Sequence, residues 1–489
     1  MPEFALDRDT LLHLISLAAI VLQIALAVGV VLRVIFTRHP PGSAIAWILL
    51  VTALPYAGFV LYLFLGERPI GRWRAYRLKG MLAAWQARTN VARSAVRLPS
   101  AQRHRGLVRL AQKLGRMPMT TRSNLTLYAD SESALQAMLE DVEQARRSIA
   151  MEFYIWCVGG WCDRMMEALM RAAQRGVECR VLVDAIGSLQ FLKSSWPRRM
   201  RQAGVHVATA LPVSLFPLSK GRADLRLHRK TVVIDDETAY TGSLNMIDPQ
   251  LFHQDQKLGE WVDAMVRVRG SAVADLQQVV AFDWALQPDD TGRLPAFDPA
   301  PEVAPEGNAR IVVLASGPNT EDDASRRVIL EAINCARSRI LLTTPYFIPD
   351  ESVATALENA ALRGVDVRLC LPKHCDSKLT TWAGRRYFSD LMHAGVKILW
   401  FTDGVLHTKA ITVDDDFALF GTVNLDNRSL HLNFEMMLLV FDRPFVTSLA
   451  LLQRTYESIS EPVDPDRWHA RSRTQRFLEG ASHLVSPLL

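Results

Sequence analysis

Beyond about residue 120 this 489-residue chain says the same thing twice, and the duplication restricts its fold more than composition does. "QARRSIAMEFYIW" at 144–156 matches "CARSRILLTTPYFI" at 335–348, "AAQRGVECRVLV" at 172–183 matches "AALRGVDVRLCL" at 360–371, and "RQAGVHV" at 201–207 matches "MHAGVKI" at 392–398. The last pair is "LHRKTVVIDD" at 227–236 and "LHTKAITVDD" at 406–415. Each holds H-x-K-x4-D: His228, Lys230 and Asp235, then His407, Lys409 and Asp414. Each is followed by G-(S/T)-x-N, with Ser243 and Asn245 in "GSLN" and Thr422 and Asn424 in "GTVN". Both copies alternate helical and strand patterns, which predicts α/β layers with a parallel or mixed sheet. The expected bodies are 121–286 and 309–489, joined by a linker at 287–308 that carries five Pro and no periodicity. The two H-x-K strands are expected to meet at a pseudo-two-fold axis and form one shared active site.

"TVVI" after Lys230 is β-branched, as a strand should be. Side chains alternate across a strand, so His228 and Lys230 share a face, and Asp235, an odd distance away, points to the other. One imidazole and one ammonium on a face make an anion site; the Asp reads as a strut at the strand end. A lone triplet of this kind turns up by chance in on the order of a few per cent of chains this long. Two at equivalent places in a repeat are far rarer, and His and Lys are poor choices for a core strand.

The N-terminal part has a different character. Residues 14–32 and 42–66 carry no charge, and each is long enough to span a bilayer as a helix. A transmembrane hairpin over 1–67 is expected, with helices at about 11–36 and 43–66. A cleaved signal would start with a basic segment, whereas Glu3, Asp7 and Asp9 lead this one. From Arg68 to Ala129 there are 12 Arg and 2 Lys and no acid, against a net −9 over the remainder. The positive-inside rule then places the downstream chain in the cytoplasm. The collar at 68–120 serves as a topology signal and juxtamembrane linker, and its apolar residues, as in "GLVRLAQKLGRM", suit contact with anionic headgroups. Six Cys are too few for a disulfide scaffold, and the C-x4-C pairs Cys157/Cys162 and Cys370/Cys375 are loosely spaced for zinc.

Two H-x-K-x4-D-x6-G-(S/T)-x-N blocks in a duplicated α/β chain resemble the phospholipase D superfamily over about residues 121–489. "LRLHRKTVVIDDETAYTGSLN", "GEWVDAMVRVRG", "TPYFIPD", "GTVNLDNRSLHLNFE", the ending "SPLL" and the apolar hairpin are similar to bacterial cardiolipin synthases of the A type. The resemblance implies a phosphatidyltransferase in the bacterial inner membrane, multi-pass, with a cytoplasmic catalytic part. It would join two phosphatidylglycerols into cardiolipin and glycerol through a phosphohistidine.

One neutral imidazole can attack phosphorus while a second, protonated one serves the leaving alkoxide and then the incoming alcohol. The expected catalytic set is therefore His228 as nucleophile, His407 as acid and base, and Lys230 and Lys409 as phosphate clamps. The superfamily's motif adds Asp235 and Asp414, which strand parity reads as structural. Ser243, Asn245, Thr422 and Asn424 are expected on the phosphate oxygens. The resemblance gives Asp263 and Glu435 as the carboxylates that orient the imidazoles, Asp263 serving His228 with Glu260 as its alternative. With two ammonium groups on the phosphate and no Asp/Glu cluster at ligand spacing, neither metal nor other cofactor is expected. Expected partners are phosphatidylglycerol, other anionic lipids and the membrane, not nucleic acid, because no aromatic–basic interleaving stands out. A hydrolytic phospholipase D or a membrane-anchored nuclease of the superfamily would use the same motifs. Asp184, Pro345 and Tyr346 are further residues expected near the pocket or in the core, and Trp156, Trp161 and Trp196 are expected in packing.

Overall fold

A computed structural model describes residues 8–37, 41–66, 76–83, 103–212, 224–252, 259–287, 303–318, 323–484 and 486. The chain divides into two compact units, one holding the N-terminal 73 residues and the other nearly all of the rest.

In the N-terminal unit, Arg8–Phe36 forms one continuous helix, long and apolar enough to cross a membrane. The second apolar stretch is helical but broken. Pro41–Ala53 ends at Leu54, Pro55 opens Pro55–Leu61, and a wide turn at Tyr62–Gly66 follows. Pro55 lacks the N–H that would continue the ladder, so the expected single helix at 43–66 becomes shorter pieces. They fold back along the first helix, with the Tyr56 hydroxyl donating to the Ala19 carbonyl at 3.0 Å.

Among the described residues, the second unit is built on one sheet of 15 strands. The first half supplies β1 (Thr120–Tyr128), β2 (Ser148–Phe153), β3 (Glu178–Asp184), β4 (His206–Ala210), β5 (Thr231–Ile234), β6 (Thr238–Gly242) and β7 (Met265–Gly270). The second supplies β8 (Ala309–Ser316), β9 (Arg339–Thr343), β10 (Asp366–Pro372), β11 (Lys397–Phe401), β12 (Ala410–Val413), β13 (Phe417–Gly421), β14 (Glu435–Phe441) and the short β15 (Ser460–Pro462). The order is β15-β11-β10-β9-β12-β13-β14-β8-β1-β7-β6-β5-β2-β3-β4. Reading outward from the central antiparallel β8–β1 pair, the halves match strand for strand except for β15, an added edge strand beside β11. In each, three strands run parallel (β2-β3-β4 and β9-β10-β11), and the H-x-K strand lies antiparallel beside the first of them.

The hairpins β5–β6 and β12–β13 explain the motif aspartates. Asp235 and Asp236, and Asp414 and Asp415, all have positive φ, and Glu237 N donates to Ile234 O at 3.0 Å. Three residues join the paired strand ends in each hairpin, and Asp tolerates the left-handed backbone that the first two of them adopt.

The basic collar needs a partial correction. Residues 67–75 and 84–102 lie outside the described residues, as does 288–302 of the Pro-rich linker. Arg105–Gly115, however, is a helix whose apolar face is not available to headgroups. Leu107, Val108, Ala111 and Leu114 are buried with Val312, Leu314, Val328 and Ile329 of the second half. At roughly 1.5–3 kcal/mol per fully buried large side chain, this helix belongs to the body rather than to a linker.

Candidate active site

Both H-x-K segments leave the sheet and pair, in parallel, with a short segment of the opposite half. Leu227 bridges Phe434, and His228 N donates to Phe434 O at 2.9 Å. Val405–Leu406 pairs with Trp261–Val262, and His407 N donates to Val262 O at 2.8 Å. Each histidine is thereby seated beside the residue that follows its partner segment, Glu435 in one case and Asp263 in the other.

The imidazole–carboxylate pairs are accordingly crossed. His228 Nδ1 lies 2.8 Å from Glu435 Oε1 and 2.9 Å from Oε2, and His407 Nδ1 lies 2.6 Å from Asp263 Oδ1. The expected pairing of Asp263 with His228 is corrected: the carboxylates are the expected ones, each serving the other half's histidine. Glu260 is exposed and contributes its backbone carbonyl to Val405 N. An ionised carboxylate only accepts, so Nδ1 of each ring carries the proton and Nε2 keeps its lone pair.

The lysines repeat the symmetry. Lys230 Nζ donates to the His228 carbonyl at 2.6 Å and Lys409 Nζ to the His407 carbonyl at 2.5 Å. All six groups are buried, and each histidine feels both ammonium charges. Burial pushes both imidazoles down to about 4, against the pull of their carboxylates. Burial also pulls Lys230 down to about 8 and Lys409 well below its ordinary value. Burial alone would raise Asp263 and Glu435, but the facing histidines and lysines hold both below the usual carboxylate range.

The hydroxyls of the G-(S/T)-x-N blocks are engaged behind the histidines. Thr422 Oγ1 donates to Glu435 Oε2 at 2.5 Å and accepts from Met436 N at 2.9 Å, while Ser243 Oγ accepts from Ala264 N at 3.0 Å. Both therefore support the strands that carry the carboxylates, which corrects their expected place on the phosphate. Asn245 Oδ1 accepts from Ile155 N at 3.1 Å, and Asn424 is buried beside Asp426.

Asp235 and Asp414, expected in the catalytic set by motif, sit at the far end of their strands. Asp235 accepts from the backbone N–H groups of Arg146, Arg147 and Ser148 at 2.6–3.0 Å. Asp414 accepts from those of Arg337, Ser338 and Arg339 at 2.7–2.9 Å, and from Arg103 at 2.8 Å. Each ties the H-x-K hairpin to the start of the neighbouring parallel strand. Asp184 also braces: it accepts from Leu227 N at 2.9 Å, immediately before His228. The Tyr346 hydroxyl donates to Asp376 at 2.8 Å, Pro345 lies in the core, and Trp156 and Trp196 are buried in packing, whereas Trp161 is half-exposed.

Several site residues were not anticipated. Tyr154 stacks edge-on to His228 at 5.0 Å and Trp261 to His407 at 4.7 Å. Tyr154 follows β2 directly and Trp261 sits two residues before Asp263, so position beside a motif was the available signal. Arg229, between His228 and Lys230, points through to the opposite face. There it pairs with Asp283, donates to the Glu435 carbonyl at 3.1 Å, and faces Glu152, which burial and Asp283 raise to about 8. The second half replaces this charged cluster with neutral groups: Thr408 meets the Tyr456 hydroxyl at 3.1 Å, and Gln453 bonds Thr343 and Thr412.

Against known proteins, a family model described as "Cardiolipin synthase, PLD-like domain" matches residues 138–268 and 329–454, one span in each half. A cardiolipin synthase A of Serratia proteamaculans is 40% identical, covering 95% of this chain and 96% of that protein. The chain belongs to the cardiolipin synthase family. Another family member, the cardiolipin synthase A of Edwardsiella ictaluri, is 39% identical over 98% of this chain and its own full length. A model described as "Phospholipase_D-nuclease N-terminal" matches 25–67, so the family likeness extends into the apolar unit. The crystal structure of phosphatidylserine synthase from Haemophilus influenzae Rd KW20 shares the fold, with a TM-score of 0.58 at 15% identity over 78% of this chain and 99% of that one. The family is membrane-associated, in keeping with the long apolar helix Arg8–Phe36.

Proposed function

We propose that the protein transfers a phosphatidyl group from one phosphatidylglycerol to another, releasing glycerol and giving cardiolipin. What carries the reading is the pair of buried histidines, each held at Nδ1 by a carboxylate of the opposite half with an ammonium group beside it. Two such imidazoles can serve opposite sides of one phosphorus.

His228 Nε2 attacks the phosphorus of the first lipid, and the bond to the glycerol oxygen breaks. His407, protonated at Nε2 once the anionic phosphate is bound beside it, gives that proton to the oxygen, and glycerol leaves. The terminal hydroxyl of a second phosphatidylglycerol then passes its proton to His407 as its oxygen attacks phosphorus. The P–N bond breaks and His228 is restored. The ammonium groups of Lys230 and Lys409 neutralise charge on the non-bridging oxygens, worth most in a dry pocket. The two carboxylates are supported alike: Thr422 and Asn433 donate to Glu435, and Ser243 acts on Asp263. The superfamily resemblance places the nucleophile in the first motif, which leaves His407 as the acid and base. Two apolar stretches inserted as a hairpin in the bacterial inner membrane, with the basic run on the cytoplasmic side, would bring this site to its lipids.

Full-length protein in phosphatidylglycerol vesicles with a chelator and no nucleotide-activated lipid is the test, read by mass spectrometry. Cardiolipin and glycerol in equal amounts are expected; phosphatidic acid alone would make the enzyme a hydrolase.

A further inference from the structure

The helix Arg473–Leu484 is inside out. The residues it turns towards the body are polar: Glu479 is 3% exposed and Ser482 5%, with Gln475 half-buried one turn earlier. The stripe it turns outward, Phe477, Ala481 and Leu484 at i, i+4 and i+7, is apolar, with Phe477 72% and Leu484 81% exposed. Leu478 adds to that side, and Arg473 and Arg476 flank it. Water would favour the reverse arrangement, with the apolar stripe turned to the body and the polar one outward.

The inward polar face is specified. Arg471 reaches Glu479 at 3.6 Å while lying over the Trp468 ring at 3.5 Å, and the Tyr387 and His483 rings meet edge-on at 5.3 Å. Asn427 Nδ2, three residues after Asn424, donates to Ser486 O at 3.1 Å. The helix is therefore docked in this orientation, and the chain just after it is tied to the short helix Asn427–His431 that follows the second G-T-x-N block. It packs against the helix Lys378–Arg385, which follows the carboxyl end of β10. That is the edge of the sheet on which the histidines lie, and Leu379 on that neighbouring helix is itself 42% exposed.

We infer that Arg473–Leu484 is an interfacial helix that lays Phe477 and Leu484 into the acyl boundary of the membrane, with Arg473 and Arg476 among anionic headgroups. A helix with an apolar stripe flanked by arginines beds about 5–10 Å into that boundary. The lipid surface is the occupant chosen because the chain carries its own membrane-length helix, because the arginines complement anionic lipid, and because the face lies on the edge where lipid substrates must enter. It is a contact separate from the N-terminal unit and independent of which reaction the site performs.

Photo-crosslinking in the full-length protein tests this. A benzophenone amino acid is placed at position 477 or 484 in bilayer discs of phosphatidylglycerol and phosphatidylethanolamine. Position 36, on the membrane-length helix, is the lipid-facing control. Position 362 is the water-facing one: Leu362 is 70% exposed and lies at the helix end that leads to the amino end of β10. The expected result is lipid adducts at 477 and 484 approaching the yield at 36 and several-fold above that at 362. Adducts to protein in place of lipid, from the same chain or a second copy, would overturn the inference. So would lipid yields no higher than at 362.

Discussion

His228 and Glu435, 207 residues apart and in different halves of the duplication, form one buried pair with 2.8 Å between Nδ1 and Oε1. His407 and Asp263 form the mirror pair. Neither half therefore contains a complete imidazole–carboxylate unit, and the active site exists only where both halves are docked.

Removing either carboxylate's charge is expected to cost activity on the scale seen when a histidine loses its orienting partner. Glu435→Gln and Asp263→Asn should each lower turnover about 10³-fold or more. The crossed pairing gives a sharper signature by NMR. The Nδ1 proton resonance of His228 should vanish in Glu435→Gln and persist in Asp263→Asn, with the opposite result for His407.

Lys230 and Lys409 are packed too tightly for a longer cation, since each Nζ is already on the carbonyl two residues before it. Lys230→Gln and Lys409→Gln should each reduce kcat about 10²–10³-fold. Arginine should not rescue either, because a planar fork does not fit a point-charge site. Steady-state kinetics on vesicles, with expression and melting point as controls, checks this.

Asp235 and Asp414 should behave as structural residues. Each carboxylate takes three backbone N–H groups. Asp235→Ala and Asp414→Ala should lower stability by about 2–3 kcal/mol, with kcat of the folded fraction close to that of the parent protein. A loss of kcat as large as that of a histidine variant would return these residues to the chemistry.

Glu152 predicts a pH effect. Its folded value, about 8, is above its ordinary 4.5, so the folded state holds the proton more tightly. That contribution is complete below pH 4.5 and is lost as pH rises through about 8. In Glu152→Gln this component should disappear, so the melting-temperature gap between variant and parent should move in the variant's favour across that window. A gap constant with pH would show that Glu152 is not a buried acid.

Much of this site was legible in the sequence because of what strand alternation fixes. It put His228 with Lys230, sent Asp235 away from them, and the repeat gave the same result for His407, Lys409 and Asp414. The crossed pairing was not legible: spacing says which side chains share a face, but not which half of a duplicated fold supplies the neighbour. Ser243 and Thr422 were misplaced for a related reason, since a hydroxyl near a phosphate and one behind a carboxylate have the same sequence signature. Arg229 was hidden by standing between two motif residues on the opposite face, and its partner Asp283 lies in a helix 54 residues on. Arg105–Gly115 carried a legible signal, Leu107, Val108, Ala111 and Leu114 at helical spacing, that the surrounding arginines obscured.

The most direct test of the central claim is to quench the full-length protein during turnover on phosphatidylglycerol and map covalent adducts by mass spectrometry. A phosphatidyl group on the peptide bearing His228, absent in His228→Ala together with cardiolipin formation, is the predicted result. An adduct on His407 instead, or cardiolipin formation that survives His228→Ala, would contradict it.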